Sequence, residues 1–153
     1  MKSLLIATFC FFQFAAGAQI YIPLKIVNGV ATFEASADAP GLSAEDIHKR
    51  TLKWLEETFL AQDILTQNTP ERLVARYTQD YATDSWSNSF QHNLQIDILD
   101  KKAVFTITDT GLGLVRDGAW KEHLAKMRVM FEQTVNELFW SYQDGLKKPV
   151  KNK

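Results

Sequence analysis

Of the 153 residues, 23% are charged and 46% hydrophobic, the balance of an ordinary globular protein, so a disordered or collagen-like chain is excluded. A net charge of -1 and a pI near 6.3 leave no general basic field to draw the chain onto nucleic acid.

The chain opens MKSLLIATFCFFQFAAGA. Lys2 precedes an apolar run from Leu4 to Phe14, and small residues stand at Ala16, Gly17 and Ala18. This is the pattern of a secretory signal peptide, with cleavage expected between Ala18 and Gln19. The apolar run is too short for a bilayer core, which takes about 20 residues. The single cysteine, Cys10, falls inside the leader. The mature chain, 135 of the 153 residues, then has no disulfide, no thiolate metal site and no cysteine nucleophile, and its net charge becomes -2. A chain of that length buries about two-thirds of its unfolded surface, enough for one domain without covalent staples. Residues 19–146 are read as that domain and 147–153 as a flexible basic tail.

The first strand pair is expected at Ile20–Val27 and Val30–Ala37, joined by Asn28-Gly29, a pair that tolerates positive φ at both central turn positions. Pro23 lacks a backbone donor, so the first strand lies at a sheet edge or is irregular there. Pro40-Gly41 breaks the chain, and a helix follows over about Ala44–Leu60. Ser43 is its N-cap, Asp46 a short capping-box acid, and Leu42 with Ile47 a hydrophobic staple. Ile47, Leu52, Leu55 and Phe59 form its apolar stripe, with Trp54 beside it. Leu73, Ala75 and Tyr77 alternate across 71–79 as a strand, and Asp80–Ser89 reads as a polar turn in which Trp86 is an anchor or the start of the next strand.

Phe90–Leu99 is the clearest strand. Phe90, His92, Leu94, Ile96 and Ile98 point one way, and Gln91, Asn93, Gln95 and Asp97 the other. Lys102–Asp109 returns with Ala103, Phe105 and Ile107 inward. Such alternation marks an antiparallel sheet with one covered and one wet face. A glycine-containing loop leads to a long helix, about Ala119 to Tyr142, closed by Gly145. The fold class is thus α+β, a two-layer β-β-α-β-β-β-α domain with an antiparallel sheet of four to five strands and both helices on one face.

The run NGVATFEASADAPGLSAEDIHKRTLKWLEETF resembles the start of an exported bacterial domain-of-unknown-function family with a TBP-like fold. The residues that carry the resemblance are Gly29, Pro40-Gly41-Leu42-Ser43 and Trp54, together with the hairpin Leu94–Thr108 and the long last helix. It implies a TBP-like arrangement in an exported protein of Bacteroidetes-type bacteria. It supplies no functional residue, and a TBP-like fold does not itself imply DNA binding.

His48, His92 and His123 belong to no metal-ligand motif, and no metal or cofactor is expected. His92, on the inward face between Phe90 and Leu94, reads as a packed histidine, with a buried general base as the alternative. His48 and His123, near helix N-termini, read as solvated. Gly111-Leu112-Gly113 lacks the remainder of a phosphate loop and reads as a flexible turn. Ser85, Ser87 and Ser89 stand in no nucleophile elbow. Trp140 departs from the apolar stripe, toward solvent or an interface, and Lys147, Lys148, Lys151 and Lys153 solubilise the tail. The surface candidates are therefore His92, Trp86 and Trp140; the wet sheet face reads as simply solvated, with a binding surface for a partner or ligand as the alternative. The functional expectation is an exported, periplasmic or secreted, non-enzymatic module that binds a protein or small-molecule partner. The alternatives are a small acid–base hydrolase using His92 or spatially joined carboxylates, and a structural subunit packing through Trp140 or a sheet edge.

Overall fold

A computed structural model describes residues 19–59, 64–83, 86–113 and 119–149. Strands β1 (Lys25–Val27), β2 (Val30–Asp38), β3 (Leu65–Asn68), β4 (Arg72–Thr83), β5 (Trp86–Leu99) and β6 (Lys102–Asp109) build one sheet in the order β1-β2-β6-β5-β4-β3. Every neighbouring pair is antiparallel. Helices α1 (Ala44–Phe59) and α3 (Ala119–Lys147) pack against each other and against the sheet, and α2 (Thr110–Gly113) is a single turn between β6 and α3. None of the described helices is long and apolar enough to cross a membrane.

The turn chemistry acts as the residue types dictate. Asn28 and Gly29 hold φ of 51° and 74°, the left-handed pair that matches the twist of a two-residue hairpin. At the start of α1 the Ser43 Oγ accepts the Asp46 amide at 3.1 Å. The Ser43 hydroxyl in turn donates to Asp46 Oδ2 at 2.8 Å. That bond, followed by the Ser43 main-chain amide, holds the Asp46 carboxyl below its ordinary range. Leu42 packs on the core beside the fully buried Ile47, as a staple requires.

Alternation decides the core. Ala31, Phe33, Ala35 and Ala37 of β2, Ala103, Phe105 and Ile107 of β6, and Leu94, Ile96 and Ile98 of β5 are buried beneath the helices. From above come Trp54 and Leu55 of α1, and Met127, Phe131, Val135, Phe139 and Tyr142 of α3. Trp54 sits edge-on to Phe59, Phe105 and Tyr142, with ring centroids at 6.0, 6.1 and 5.1 Å. Aromatic pairs in this geometry add about 1 kcal/mol each beyond the area they bury.

Four expectations are corrected. The sheet has six strands and not four to five, because Leu65–Asn68 adds an edge strand. With one apolar residue in LTQN and a register shift between Leu65 and Gln67, it carries no alternation to read. Second, Asp80–Ser89 is no polar turn: Asp80 pairs with Ser89, Tyr81 with Asn88 and Thr83 with Trp86. Its outward polar side chains belong to the wet face, while Tyr81, buried to 2%, keeps the inward phase. Third, only Lys25–Val27 of Ile20–Val27 is a strand, and residues 20–24 leave the sheet at Pro23 to run along α3.

Fourth, Gly145 does not close the last helix, which continues to Lys147. A Cβ at Gly145 would lie 3.0 Å from Trp54 Cδ1, so the missing side chain is what lets α3 approach α1. Trp54 is wedged among three rings and has little room to yield. Gly145→Val is therefore expected to lose about 2 kcal/mol through overpacking, despite the helix propensity gained over glycine, as read by urea denaturation.

One buried hydrogen bond joins the helices. Thr51 Oγ1 donates to the Ile47 carbonyl at 2.7 Å and lies 2.9 Å from the Tyr142 hydroxyl, which can donate in turn. The two partners differ in what removal leaves behind. Tyr142→Phe leaves the threonine hydroxyl bonded and is expected to cost about 1 kcal/mol. Thr51→Val strands a buried phenol and is expected to cost about 2 kcal/mol, and parallel thermal melts check the order.

Candidate functional site

The concentration of polar chemistry inside the core lies where β4, β5, β6 and α2 meet. His92 is completely buried, with Nε2 3.1 Å from the Tyr81 hydroxyl and Nδ1 2.9 Å from Asp109 Oδ2. The contact with Asp109 is close but lies off the direction of a ring N–H, so it is electrostatic more than a directed hydrogen bond. The other carboxylate oxygen, Oδ1, accepts the Leu112 amide at 2.6 Å and caps the single turn of α2. Leu112 returns its carbonyl to Arg128 Nε of α3 at 2.6 Å. The array therefore fastens three strands to α2, and α2 to α3.

Aromatic rings wall this array. Phe131 stacks on His92 with centroids 4.7 Å apart and an interplanar angle of 24°, and Tyr77, its cross-strand partner, lies at 5.1 Å. Burial pushes the Tyr77 and Tyr81 phenols far above the ordinary value near 10, with the nearby Asp109 adding in the same direction. These are groups held in their uncharged form by a dry environment.

His92 is thus a packed histidine, and both of its ring nitrogens face partners. The sequence reading missed those partners. Asp109 was legible in principle, since it continues the inward phase Ala103, Phe105, Ile107 by one more step. Tyr81 lay in the segment read as a turn. Trp86 opens β5 opposite Thr83, and its side chain lies outside the described residues. Trp140 is half-buried, and its Nε1 donates to the Ile20 carbonyl at 3.3 Å. His48 is half-exposed, and its Nε2 lies 2.8 Å from Asn68 Oδ1 in an exposed contact that ties α1 to the edge strand β3. Gly111-Leu112-Gly113 forms α2 with Leu112 buried, not a flexible turn, because Asp109 supplies the cap. Ala18, Lys151 and Lys153 lie outside the described residues. Among the described residues no three His, Cys, Asp or Glu side chains converge as a metal site.

The wet face is a continuous platform across β2, β6, β5 and β4. Register sets its rows: Thr32, Thr108, Asn93 and Arg76 in one, Glu34, Thr106, Gln95 and Val74 in the next. Hydroxyls and amides occupy the middle and charges the margins. Arg76 Nε donates to Asn93 Oδ1 at 3.1 Å, Gln95 Nε2 to Asp97 Oδ2 at 2.8 Å, and Arg72 pairs with Asp97. Two of these bonds link β4 to β5 and one runs along β5.

No protein-family model and no curated protein matches the sequence. Solved structures do match in shape. A TBP-like protein from Parabacteroides distasonis superposes with a TM-score of 0.68 over 82% of this chain and 98% of that one, at 11% identity. The chain has the TBP-like fold. A DUF4468 family protein from Bacteroides ovatus superposes on this chain with a TM-score of 0.58 over 87% of this chain and 96% of that one, at 14% identity. Both neighbours come from the bacterial group that the sequence resemblance implied. At such identities the TBP-like likeness speaks for the path of the chain alone.

Proposed function

We propose that this chain is an exported cell-envelope domain that acts by binding a partner and not by catalysis, through the uncovered face of its sheet. The observation that carries the reading is the division of polar groups between the two faces. On the helix side the acid–base candidates are spent on the fold: His92 is 0% and Asp109 2% exposed, each engaged by the other and by Tyr81 or Leu112. That placement argues against His92 as the base of a hydrolase. On the other side, Thr106, Thr108, Asn93 and Gln95 are half-exposed and uncharged, in the middle of a wide flat platform. Uncharged donors and acceptors cost little to desolvate compared with charges, which suits a face that opens and closes onto a partner. Export rests on the leader pattern, with Ala18 and Gln19 at the cleavage point.

The test has two arms. N-terminal sequencing of the protein from envelope and cytosolic fractions should find a chain beginning at Gln19 in the envelope; an intact Met1 confined to the cytosol overturns export. The double variant Gln95→Arg with Thr106→Arg places two bulky charges on the platform without touching the core. Chemical crosslinking in intact cells should give a reproducible adduct with the wild type that the variant loses. An adduct retained at full strength overturns the sheet face as the binding surface.

A further inference from the structure

Residues 20–24 run along the outside of α3 in a pattern with a strict repeat. The Ile20 carbonyl accepts from Trp140 Nε1 at 3.3 Å. Ile22 donates its amide to Asn136 Oδ1 at 2.8 Å and accepts Asn136 Nδ2 on its carbonyl at 2.9 Å. Leu24 donates its amide to Glu132 Oε2 at 2.7 Å, and Tyr21 donates its hydroxyl to Glu132 Oε1 at 2.9 Å. Alternate residues 20, 22 and 24 thus meet helix residues 140, 136 and 132. The spacings agree physically: four residues of helix advance about 6 Å, and two residues of extended chain about 6.6 Å. The helix reads the backbone of an extended segment, with the Asn136 amide taking the place of a strand neighbour.

We infer that the Glu132–Asn136–Trp140 stripe is a binding site for an extended peptide segment, filled in cis by residues 20–24 and able to take the same segment from a second copy of this chain. Two features make the arm exchangeable. Its hold on the core is limited to the partly buried Ile22 and Leu24, while Ile20 is 75% and Tyr21 49% exposed and the β1 strand that follows is exposed at all three residues. Meanwhile Asn136 is fully buried beneath the arm, so vacating the stripe uncovers an amide oxygen at the place where an incoming backbone N–H can replace that of Ile22. The segment that fits is one every copy carries.

The test uses the full mature chain, with a labelled, N-acetylated heptapeptide of residues 19–25 as probe. Ile22→Pro removes the donor to Asn136 from the arm while keeping an extended backbone. This variant should bind the peptide at least tenfold more tightly than the wild type, whose own arm competes at high effective concentration. The same peptide N-methylated at Ile22 should not bind. The Ile22→Pro chain (open stripe, disabled arm) mixed with an Asn136→Leu chain (intact arm, disabled stripe) should form a dimer by light scattering, while each alone stays monomeric. Equal binding of the N-methylated peptide, absence of peptide binding to Ile22→Pro, or a mixture that stays monomeric well above the peptide Kd overturns the inference. Neither result bears on the sheet-face variants, so the two surfaces stand or fall separately.

Discussion

Asp109→Ala is expected to cost about 3 kcal/mol and lower the melting temperature by roughly 10 °C, as read by circular dichroism. Three losses combine. The buried His92 ring loses the carboxylate that lies 2.9 Å from its Nδ1, an electrostatic contact and not a hydrogen bond. The Leu112 amide loses its cap, worth about 1 kcal/mol, and with it the turn that hands Leu112 to Arg128. The deleted carboxyl also leaves a small void. Asp109→Asn keeps an oxygen for Leu112 and should cost clearly less than alanine. His92→Leu should also be costly, because it strands a buried carboxylate and the Tyr81 hydroxyl together. In the double variant His92→Leu with Asp109→Asn the carboxylate and its partner disappear at once. Its loss should then fall short of the sum of the two single losses by more than about 1 kcal/mol, the coupling expected of residues in one network. Additive losses would mean that the pair contributes no linked stabilisation.

The network also marks where reading a sequence stops. Period-two alternation located β5, β6 and part of β4, and with them the covered face, because a sheet with one dry side imposes that pattern on its inner strands. The Asn28-Gly29 hairpin and the Ser43 cap were legible for a similar reason: each is a local rule with one residue type to satisfy it. The edges were not. β3 buries too little to need apolar residues, and residues 20–24 look like a strand because they are extended, yet their hydrogen bonds go to helix side chains. Asn136 and Glu132, the acceptors for that arm, sit in an amphipathic helix where polar residues ordinarily signal solvent. Gly145 was misread because a helix-ending glycine and a close-packing glycine are the same letter, and only Trp54 across the interface distinguishes them. For the histidine, its phase along β5 gave its burial, while its partners depended on a register that one strand does not contain.

Alkaline unfolding should be steep. The chain has four tyrosines. Tyr77, Tyr81 and Tyr142 are buried to 8% exposure or less, and burial raises all three phenols above their ordinary value of 10.0. Tyr21 is raised too, by desolvation and by Glu132, but at 49% exposure it adds little. A folded-state value above the unfolded one stabilises the protonated form. That stabilisation is fully present below pH 10 and is lost as pH climbs from there toward the folded values, because the unfolded chain releases phenolic protons that the folded chain retains. Three such groups give a slope of about 4 kcal/mol per pH unit once pH exceeds 10. Against a net stability of about 5–15 kcal/mol, two to three pH units of that slope unfold the domain. Urea denaturation at steps between pH 9 and 11.5 measures the slope, and ultraviolet absorbance of tyrosinate should rise in step with unfolding and not before it. Tyr142→Phe should flatten the slope to about 3 kcal/mol per pH unit, since one proton fewer is exchanged. An unchanged slope would mean that Tyr142 ionises inside the folded domain, which its place between Trp54 and Phe105 does not permit.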